Sequence, residues 1–555
     1  MSKPRTVLVT DPLIDASDKI LYPIIQGGAE VNQRRFNSTA YDNSSTHFSV
    51  PPPNPGTFIS RKFTLKMRIR LVFKMIDVAG GNPAVGRPWS QNAQSFRQFP
   101  LASIMKNLSV TINGCVITLP VSDVIKPLIQ YNNRNENSDW KAHTGPSHHD
   151  LSQDYMYTIG PAGVNFQTNN LYNPMNDITS ANAKNRKGNG AIEYVTFDHD
   201  PALGAGNVYS PSISADISEQ LFISPLVFGC SEEYGLVNVN SLDVHIDWEP
   251  EAFKCWSNTP YKIDAGNVVY QFTGFEHHLN DIVPEIMFEY ITPPQGYRIP
   301  QQVQYPYNEI NRYITPTRLR LAVNATFTSV FSNNIQLSVI PKYIYICVRR
   351  SKRSLDNLNL DRRQGILMSQ PDSYAKITNL RMNWNNQSTL FTNATTEQLY
   401  EISRRNGYIH DFTGFSGSKM IVNGGDITAN IRRLTGIGSV LCFEVGKNIP
   451  LDPGEAPGCP CMKSLQIQID GTWLSSNFTE AGLAGVSPDL ELVIITQTPG
   501  ILSVDRSGAY KKIAVINEVD VKSAKKDIMF DWEDSKQDLL SGGKNYHKAN
   551  RKARY

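Results

Sequence analysis

Residues 63–75 read FTLKMRIRLVFKM, and every second side chain in this stretch is apolar. Seven apolar side chains run from Phe63 to Met75, and most of the residues between them are lysine, arginine or threonine. Successive side chains of a β-strand point to opposite faces, so this alternation is typical of a strand buried on one face. The stretch therefore predicts a long β-strand that packs against a hydrophobic core.

Similar patterns predict further strands along the chain, at 108–112, 116–119, 237–248, 285–291, 326–339, 343–348, 465–469 and 490–496. Helical patterns are few. One runs from Ser122, as its cap, to about Tyr131. The other follows the capping-box spacing of Thr395 and Gln398 and is closed by Gly407. These patterns predict an all-β protein with a few short helices.

The order strand, tight turn, strand, helix occurs twice, starting at Asn107 and at Asn379. In the first copy the turn is Asn113-Gly114, a dipeptide favoured in type I′ hairpins because both central residues need positive φ. A second pair of similar strands starts at Pro284 and Pro488. The alternative is that short Asn-rich β segments look alike by chance. If the repeat is real, two similar all-β domains stand in tandem.

Proline-rich segments and the repeat together divide the chain into domains, each near 200 residues and suited to an eight-stranded sandwich. The segment TPPQGYRIP at 292–300 favours extended backbone, as expected of a linker. The predicted parts are an extended N-terminal arm at 1–59, a first sandwich at 60–291 with a long loop excursion at about 132–211, a Pro-rich linker at 292–304, a second sandwich at 305–502, and a C-terminal extension at 503–555 with a basic tail.

Composition excludes several classes of protein. The 555 residues are 40% hydrophobic, 10% aromatic and only 19% charged, which argues against wholesale disorder. The formal net charge is +3, too small for a body that binds nucleic acid with its whole surface. The positive charge is concentrated in the last fifteen residues, which contain no acid. The basic residues of this tail, our candidates for nucleic-acid binding, are Lys544, Lys548, Arg551, Lys552 and Arg554. The alternative is a solvated terminus that aids solubility.

Seven cysteines are odd in number and sparse, unlike the sets that form disulfides in small secreted domains. The N-terminus has no uninterrupted apolar segment of the kind found in signal peptides, and no run of 18 apolar residues occurs. We therefore expect synthesis in a reducing compartment, cytoplasm or nucleus, with neither conventional secretion nor a membrane span.

Candidate chemistry is weak throughout the chain. Cys459-Pro-Cys461 has no second Cys or His pair nearby, and the residues His143, His148, His149 and Asp150 are better read as an exposed loop than as a zinc site. No nucleotide-binding loop, nucleophile elbow or zinc-protease helix is present. We expect no enzyme activity, no cofactor, no metal and no small-molecule substrate.

The chain resembles the double jelly-roll major capsid proteins of tailless icosahedral viruses, of the adenovirus, polinton-like and adintovirus-like type. The resemblance covers about residues 20–500 and is one of element order with a few short phrases. The phrases are PPPNP (51–55) leading into the strand at 61–75, the hairpin and helix at 107–133, FISPLVFG (222–229), GLVNVN (235–240), YITP (290–293) and YPYNEINRY (305–313).

This resemblance implies two tandem antiparallel eight-stranded jelly rolls that stand side by side. Three chains would form a pseudo-hexameric trimer that tiles an icosahedral shell in the virion, together with other capsid proteins such as a penton. The basic tail would contact the packaged genome or an inner membrane. Two alternatives stay open: a minor vertex or attachment protein of the capsid, and a lectin-like or carbohydrate-active sandwich in which Trp140, Trp256 or Trp473 stacks on sugars.

Overall fold

The computed structural model describes most of both predicted sandwiches. The described residues are 5–10, 21–26, 29–60, 63–77, 95–96, 99–131, 191–198, 208–221, 235–250, 252–257, 261–264, 267–294, 297–320, 326–351, 374–385, 387–422, 431–435, 438–473 and 489–516.

The first half of the chain contains eighteen described strands. They are β1 Arg5–Thr10, β2 Leu21–Gln26, β3 Glu30–Asn37, β4 Ala40–Tyr41, β5 Ser45–Val50, β6 Phe58–Ile59, β7 Thr64–Asp77, β8 Ser95–Phe96, β9 Met105–Ile112, β10 Cys115–Leu119, β11 Ala191–Asp198, β12 Val208–Tyr209, β13 Ser212–Gln220, β14 Leu242–Trp248, β15 Trp256–Ser257, β16 Tyr261–Asp264, β17 Asn267–His278 and β18 Glu285–Thr292.

The second half contains twelve described strands and the longest of the described helices. The strands are β19 Gln302–Arg320, β20 Thr326–Phe331, β21 Ile335–Val339, β22 Tyr343–Arg350, β23 Lys376–Trp384, β24 Gln387–Leu390, β25 Ser418–Val422, β26 Ile431–Thr435, β27 Val440–Glu444, β28 Pro460–Thr472, β29 Asp489–Asp505 and β30 Ala509–Ile513. The described helices are Pro100–Ile104, Val121–Leu128, Thr396–Arg405 and Phe412–Ser416, with a 3₁₀ turn at Ala252–Cys255.

Each half forms two facing sheets with the same strand order. In the first half one sheet contains β3-β18-β7-β13 and the other β5-β14-β9-β10. In the second half the corresponding sheets are β19-β29-β22-β27 and β20-β28-β23-β24, with β21 continuing the edge occupied by β20. When only the eight strands of these two sheets are numbered 1 to 8 along the chain, both halves give the order 1-8-3-6 in one sheet and 2-7-4-5 in the other. This is the jelly-roll topology, so the prediction of two tandem jelly rolls is confirmed.

The two repeated phrases occupy equivalent places in the two jelly rolls. The strands β9 and β10 with helix Val121–Leu128 correspond to β23 and β24 with helix Thr396–Arg405, and β18 corresponds to β29. The turn prediction is also confirmed, because Asn113 and Gly114 have φ of 45° and 83°. Both repeats therefore reflect repeated topology and not chance similarity.

The period-two pattern of the first sequence stretch is confirmed in β7. Leu65, Met67, Ile69 and Leu71 are fully buried, and the residues between them are half-buried. The capping box of Thr395 and Gln398 is present. The prediction that Ser122 caps its helix is wrong: Pro120 is the N-cap residue, and Ser122 lies inside the first turn.

Strand pairing extends into segments predicted as arm, linker and extension. Strands β3 and β5, within residues 1–59, are members of the first jelly roll. Strand β19 begins at Gln302, and β30 pairs with β29 beyond residue 502. The predicted loop excursion lies outside the described residues except at its C-terminal end, where β11 pairs with β13 and β12 with β7.

Candidate functional site: the junction between the two jelly rolls

Strands β29, β22 and β27 of the sheet β19-β29-β22-β27 in the second jelly roll are buried on both faces. Along β29, residues Leu490 to Thr496 are all buried, and so are Ile344 to Val348 on β22. A strand covered on both faces reads as a continuous apolar run instead of an alternation, and LVII at 492–495 is such a run. One face packs on the second sheet of the same jelly roll, and the other faces the first jelly roll.

Cross-strand register shows which side chains face the first jelly roll. Arg349 lies opposite Glu491, Cys347 opposite Val493 and Tyr345 opposite Ile495. Directly opposed residues of an antiparallel pair point to the same side of the sheet. This side carries apolar residues at its centre and a charged pair at one end, where a helix of the first jelly roll meets it.

Helix Val121–Leu128 of the first jelly roll supplies a buried acid to this charged end. The side chain of Asp123 is 1% exposed and accepts from Nη2 of Arg349 at 2.6 Å. Its other carboxylate oxygen pairs with Nη1 of Arg312 on β19. Arg349 also donates from Nε to Glu491 at 2.7 Å. Two arginines and two acids thus form a balanced ionic cluster across the junction.

Burial and like charge both act on Arg312 in this cluster. Loss of hydration is the main cause that lowers the pKa of Arg312, and the neighbouring charge of Arg349 lowers it further. Such a cluster is a poor source of net stability, because the desolvation of each charge offsets the attraction. Its geometric demands are strict, however, since an unpaired charge left in the junction is costly. The cluster therefore fixes how the jelly rolls are placed.

An aromatic contact forms at the end of the same helix segment. The ring of Tyr131 lies 5.2 Å from that of Tyr345 and 5.3 Å from that of Tyr408, both in the second jelly roll. Its hydroxyl donates to the carbonyl of Val440, and the amide of Ile409 donates to the carbonyl of Gln130 at 3.2 Å. Burial raises the pKa of Tyr131, so the phenol stays protonated and keeps this hydrogen bond. The first jelly roll thus inserts a side chain among the aromatic residues of the second.

The β9–β10 hairpin tip makes a third contact. Asn113 donates from Nδ2 to the carbonyl of Asp505 at 2.8 Å and to that of Asn238 at 2.7 Å. Its Oδ1 accepts from the amides of Asn240 at 2.6 Å and Ser241 at 3.1 Å. One side chain therefore joins three segments, and the amide of Ala509 donates to the carbonyl of Asn113 at 3.2 Å.

The chain that connects the two jelly rolls is anchored to the first. Asn238 donates from Nδ2 to the carbonyls of Pro300 and Gln301, both at 2.9 Å. The buried hydroxyl of Tyr305 accepts from the amide of Val237 at 3.0 Å and donates to the carbonyl of Gly235 at 3.2 Å. With the ionic, aromatic and hairpin contacts, these bonds join the two jelly rolls into one building block.

The residues predicted for nucleic-acid binding lie outside the described residues, as do those of the loop considered as a zinc site. The set comprises Lys544, Lys548, Arg551, Lys552, Arg554, His143, His148, His149 and Asp150. Within the described part of the chain, no group of three or more potential ligands is placed to hold a metal ion. The six described cysteines, Cys459 and Cys461 among them, are free thiols. No helix in that part combines the length and apolar character of a membrane span.

Sequence reasoning missed every residue of the junction as a functional residue. The sequence marks Asn113 as a turn residue only, and Arg312 lies inside the phrase YPYNEINRY (305–313), which carries the family resemblance. A signal was present: Glu491 directly precedes one continuous apolar run, and Arg349 directly follows another. A charge at the end of a doubly buried strand needs a partner from outside its own sheet.

Comparisons with known proteins match both jelly rolls. A family model for the first domain of the Sputnik virophage major capsid protein matches residues 2–274, and one for the C-terminal domain of the major capsid protein V20 matches residues 310–500. A putative capsid protein V20 of Sputnik virophage is 27% identical over 527 residues, which are 94% of this chain and 82% of the relative.

Two solved structures share the fold. A chain of the Sputnik virophage, determined by cryo-electron microscopy, is similar with a TM-score of 0.71 and 23% identity, covering 93% of this chain and 95% of its own. The mavirus major capsid protein is similar with a TM-score of 0.57 and 16% identity, covering 88% of this chain and 91% of its own.

Proposed function

Because this chain belongs to the double jelly-roll major capsid proteins of tailless icosahedral viruses, the Sputnik type among them, we propose that it assembles as pseudo-hexameric trimers that tile the viral shell. The observation that carries the proposal is the repeated strand order, 1-8-3-6 with 2-7-4-5 in both halves, joined through a buried junction. Two similar bodies in one chain give six similar bodies in a trimer, which fits a hexagonal lattice.

The fixed junction supports this function. A tile transmits its lattice geometry only if its two halves keep one relative placement. The Asp123 cluster, the Tyr131 contact and the Asn113 hairpin bond each require the same placement. The role proposed for these residues is structural, and we infer no catalysis for the protein.

The oligomer tests this proposal. Native mass spectrometry of the purified full-length chain should give trimers, and negative-stain images should give hexagonal outlines, sheets or shells. Monomers at all concentrations would contradict a capsid tile. A minor vertex or attachment protein would form vertex-type oligomers without hexagonal sheets. The sugar-binding alternative is weakened at one of its three residues, because Trp473 is 2% exposed and unavailable for stacking.

The partners of the shell follow from the same proposal. The chain would occupy the virion, contact further copies of itself in the lattice and meet other capsid proteins such as a penton at the vertices. Synthesis would take place in a reducing host compartment, cytoplasm or nucleus, and the free thiols of the described cysteines support this. We propose the same order of arm, two jelly rolls, linker and extension, with three bounds moved. The first jelly roll starts at β3 because β3 pairs with β18, and the second includes β19 from Gln302 and β30 to Ile513.

For the basic tail we propose non-specific contact with the packaged genome, or with an inner membrane. Support comes from sequence alone: Lys544, Lys548, Arg551, Lys552 and Arg554 lie in a segment without acids. The test is a salt titration of nucleic-acid binding by the full chain and by a chain ending at residue 540. Binding should weaken steeply with salt and fall at least about tenfold on truncation. Equal affinity of the two chains would refute genome contact, and vesicles of anionic lipid distinguish the membrane alternative.

A further inference from the structure

Each jelly roll has one surface that corresponds to a surface of the junction but does not take part in it. Within the chain, a helix of the first jelly roll, Val121–Leu128, docks on the sheet of the second jelly roll that contains β22 and β29. The corresponding helix of the second jelly roll is Thr396–Arg405, and the corresponding sheet of the first contains β7 and β18. Within the described part of the chain, this helix docks on no jelly-roll sheet of that kind, and this sheet receives no such helix. A second copy of the chain can supply the missing helix or sheet.

Burial marks the difference between the paired and unpaired surfaces. In helix Val121–Leu128 every residue except Ser122 and Lys126 is buried. Helix Thr396–Arg405 buries only four residues, and Glu397, Gln398, Glu401, Arg404 and Arg405 are exposed. One side of the helix therefore lacks the cover that its counterpart has.

The sheets show the same difference. The side of β22 and β29 that faces the first jelly roll is buried, whereas the outward side of β7 is half-buried along its described length. That outward side carries Lys66, Arg68, Arg70 and Lys74. Arg68 pairs with Asp216 at 2.6 Å and Arg70 with Asp281 at 2.6 Å, so the surface has charges of both signs, as the buried junction does.

We propose that helix Thr396–Arg405 of one copy docks on the outward side of β7 and its neighbouring strands in a second copy. The inference rests on the proposed trimer. In a closed ring of six similar jelly rolls with equivalent contacts, each contact between neighbours repeats the one inside the chain, in which a helix of one jelly roll docks on a sheet of the next. The step inside each chain is the junction already described, and the step between chains then uses the two surfaces left open. The contact is head-to-tail and is repeated three times per trimer.

Charge reversal on the helix tests the contact. Glu401 is exposed, so Glu401→Lys should leave the thermal unfolding of the single chain nearly unchanged. In the trimer it should lower the association constant at least about tenfold, because the acid would sit beside the basic residues of β7. Lys66→Glu should cause a comparable loss from the other side of the contact. The matched control is Arg381→Glu, an exposed reversal on β23 of the opposite sheet, which should leave trimers intact.

Cross-linking locates the contact directly. A zero-length carbodiimide reagent, applied to trimers mixed from ¹⁴N and ¹⁵N chains, should join Glu397 or Glu401 of one copy to Lys66 or Lys74 of another. The internal control is Lys463, whose Nζ lies 2.8 Å from Glu455, and which should cross-link within one chain only.

The outcomes separate this inference from the proposed function. Trimers that form but lack the inter-copy links, or that tolerate Glu401→Lys as well as Arg381→Glu, overturn the docking inference and leave the capsid tile standing. Absence of trimers from the unmodified chain overturns the proposed function, and with it this inference.

Discussion

Replacing Asp123 by asparagine removes the charge that joins the two jelly rolls while keeping the shape of the side chain. Asp123 is 1% exposed and contacts both Arg312 and Arg349, whose side chains are 32% and 14% exposed. After Asp123→Asn, two cations share one remaining acid, Glu491. Breaking a buried pair costs about 3–5 kcal/mol, and the partial exposure of Arg312 places this case near the lower end, at about 3 kcal/mol.

Calorimetry of the full chain measures this cost. For a domain of about 200 residues, 1 kcal/mol shifts Tm by about 2–4 °C, so the expected fall is about 6–12 °C. Because the lost bond lies between the jelly rolls, the unfolding transition should also broaden or split. The control is Glu444→Gln, which breaks an exposed pair with Lys447 at 3.2 Å and should cost at most about 1 kcal/mol. A fall in Tm no larger than that of the control would refute the role given to the cluster.

Three further perturbations test the junction and the core. Tyr131→Phe removes the donor to the Val440 carbonyl and should cost about 1 kcal/mol in urea unfolding. Tyr408→Phe should cost nothing, because that hydroxyl has no hydrogen-bond partner among the described residues; equal costs would contradict the assignment. Asn113→Gly keeps the positive φ but loses four hydrogen bonds, so we expect the free energy of unfolding to fall by about 3 kcal/mol. The control Asn385→Gly, in the equivalent turn of the second jelly roll, should lower it by almost nothing. A larger loss for Asn385→Gly than for Asn113→Gly would count against the hairpin contact. Burial raises the pKa of Glu219 from 4.5 to about 7, although it accepts from the amides of Leu101 and Ala102. The folded-state pKa is the higher one, so its stability contribution is complete below about pH 4.5 and is lost as pH rises to about 7. The stability of Glu219→Gln relative to the wild type should therefore rise by up to ~3 kcal/mol between pH 5 and pH 8, as measured by thermal melts. The same stability difference between the two proteins at pH 5 and pH 8 would contradict this.

The strands and turns could be predicted from the sequence because each depends on the order of residues within a short segment. The alternation in β7 and the Asn113-Gly114 turn follow from backbone geometry within a few residues. The repeated order of strand, turn, strand and helix revealed the duplication. Ser122 failed as a cap because Pro120 already provides the helix start, which propensity at one position does not show.

The junction was not predictable in the same way. Asp123, Arg312 and Arg349 lie on three elements far apart in sequence, and single residues carry no sign of a partner across a domain boundary. The polar and turn residues around β3 and β5 predict an extended arm. Pairing with β18 and β14 determines their place instead, and pairing is a long-range property.

A cryo-electron microscopy reconstruction of the purified full-length chain tests the capsid assignment most directly. We predict threefold particles with six upright sandwiches in a ring, two per chain, and helix Thr396–Arg405 at each contact between copies. Particles with one isolated chain, or rings in which a chain contributes a single sandwich, would contradict it.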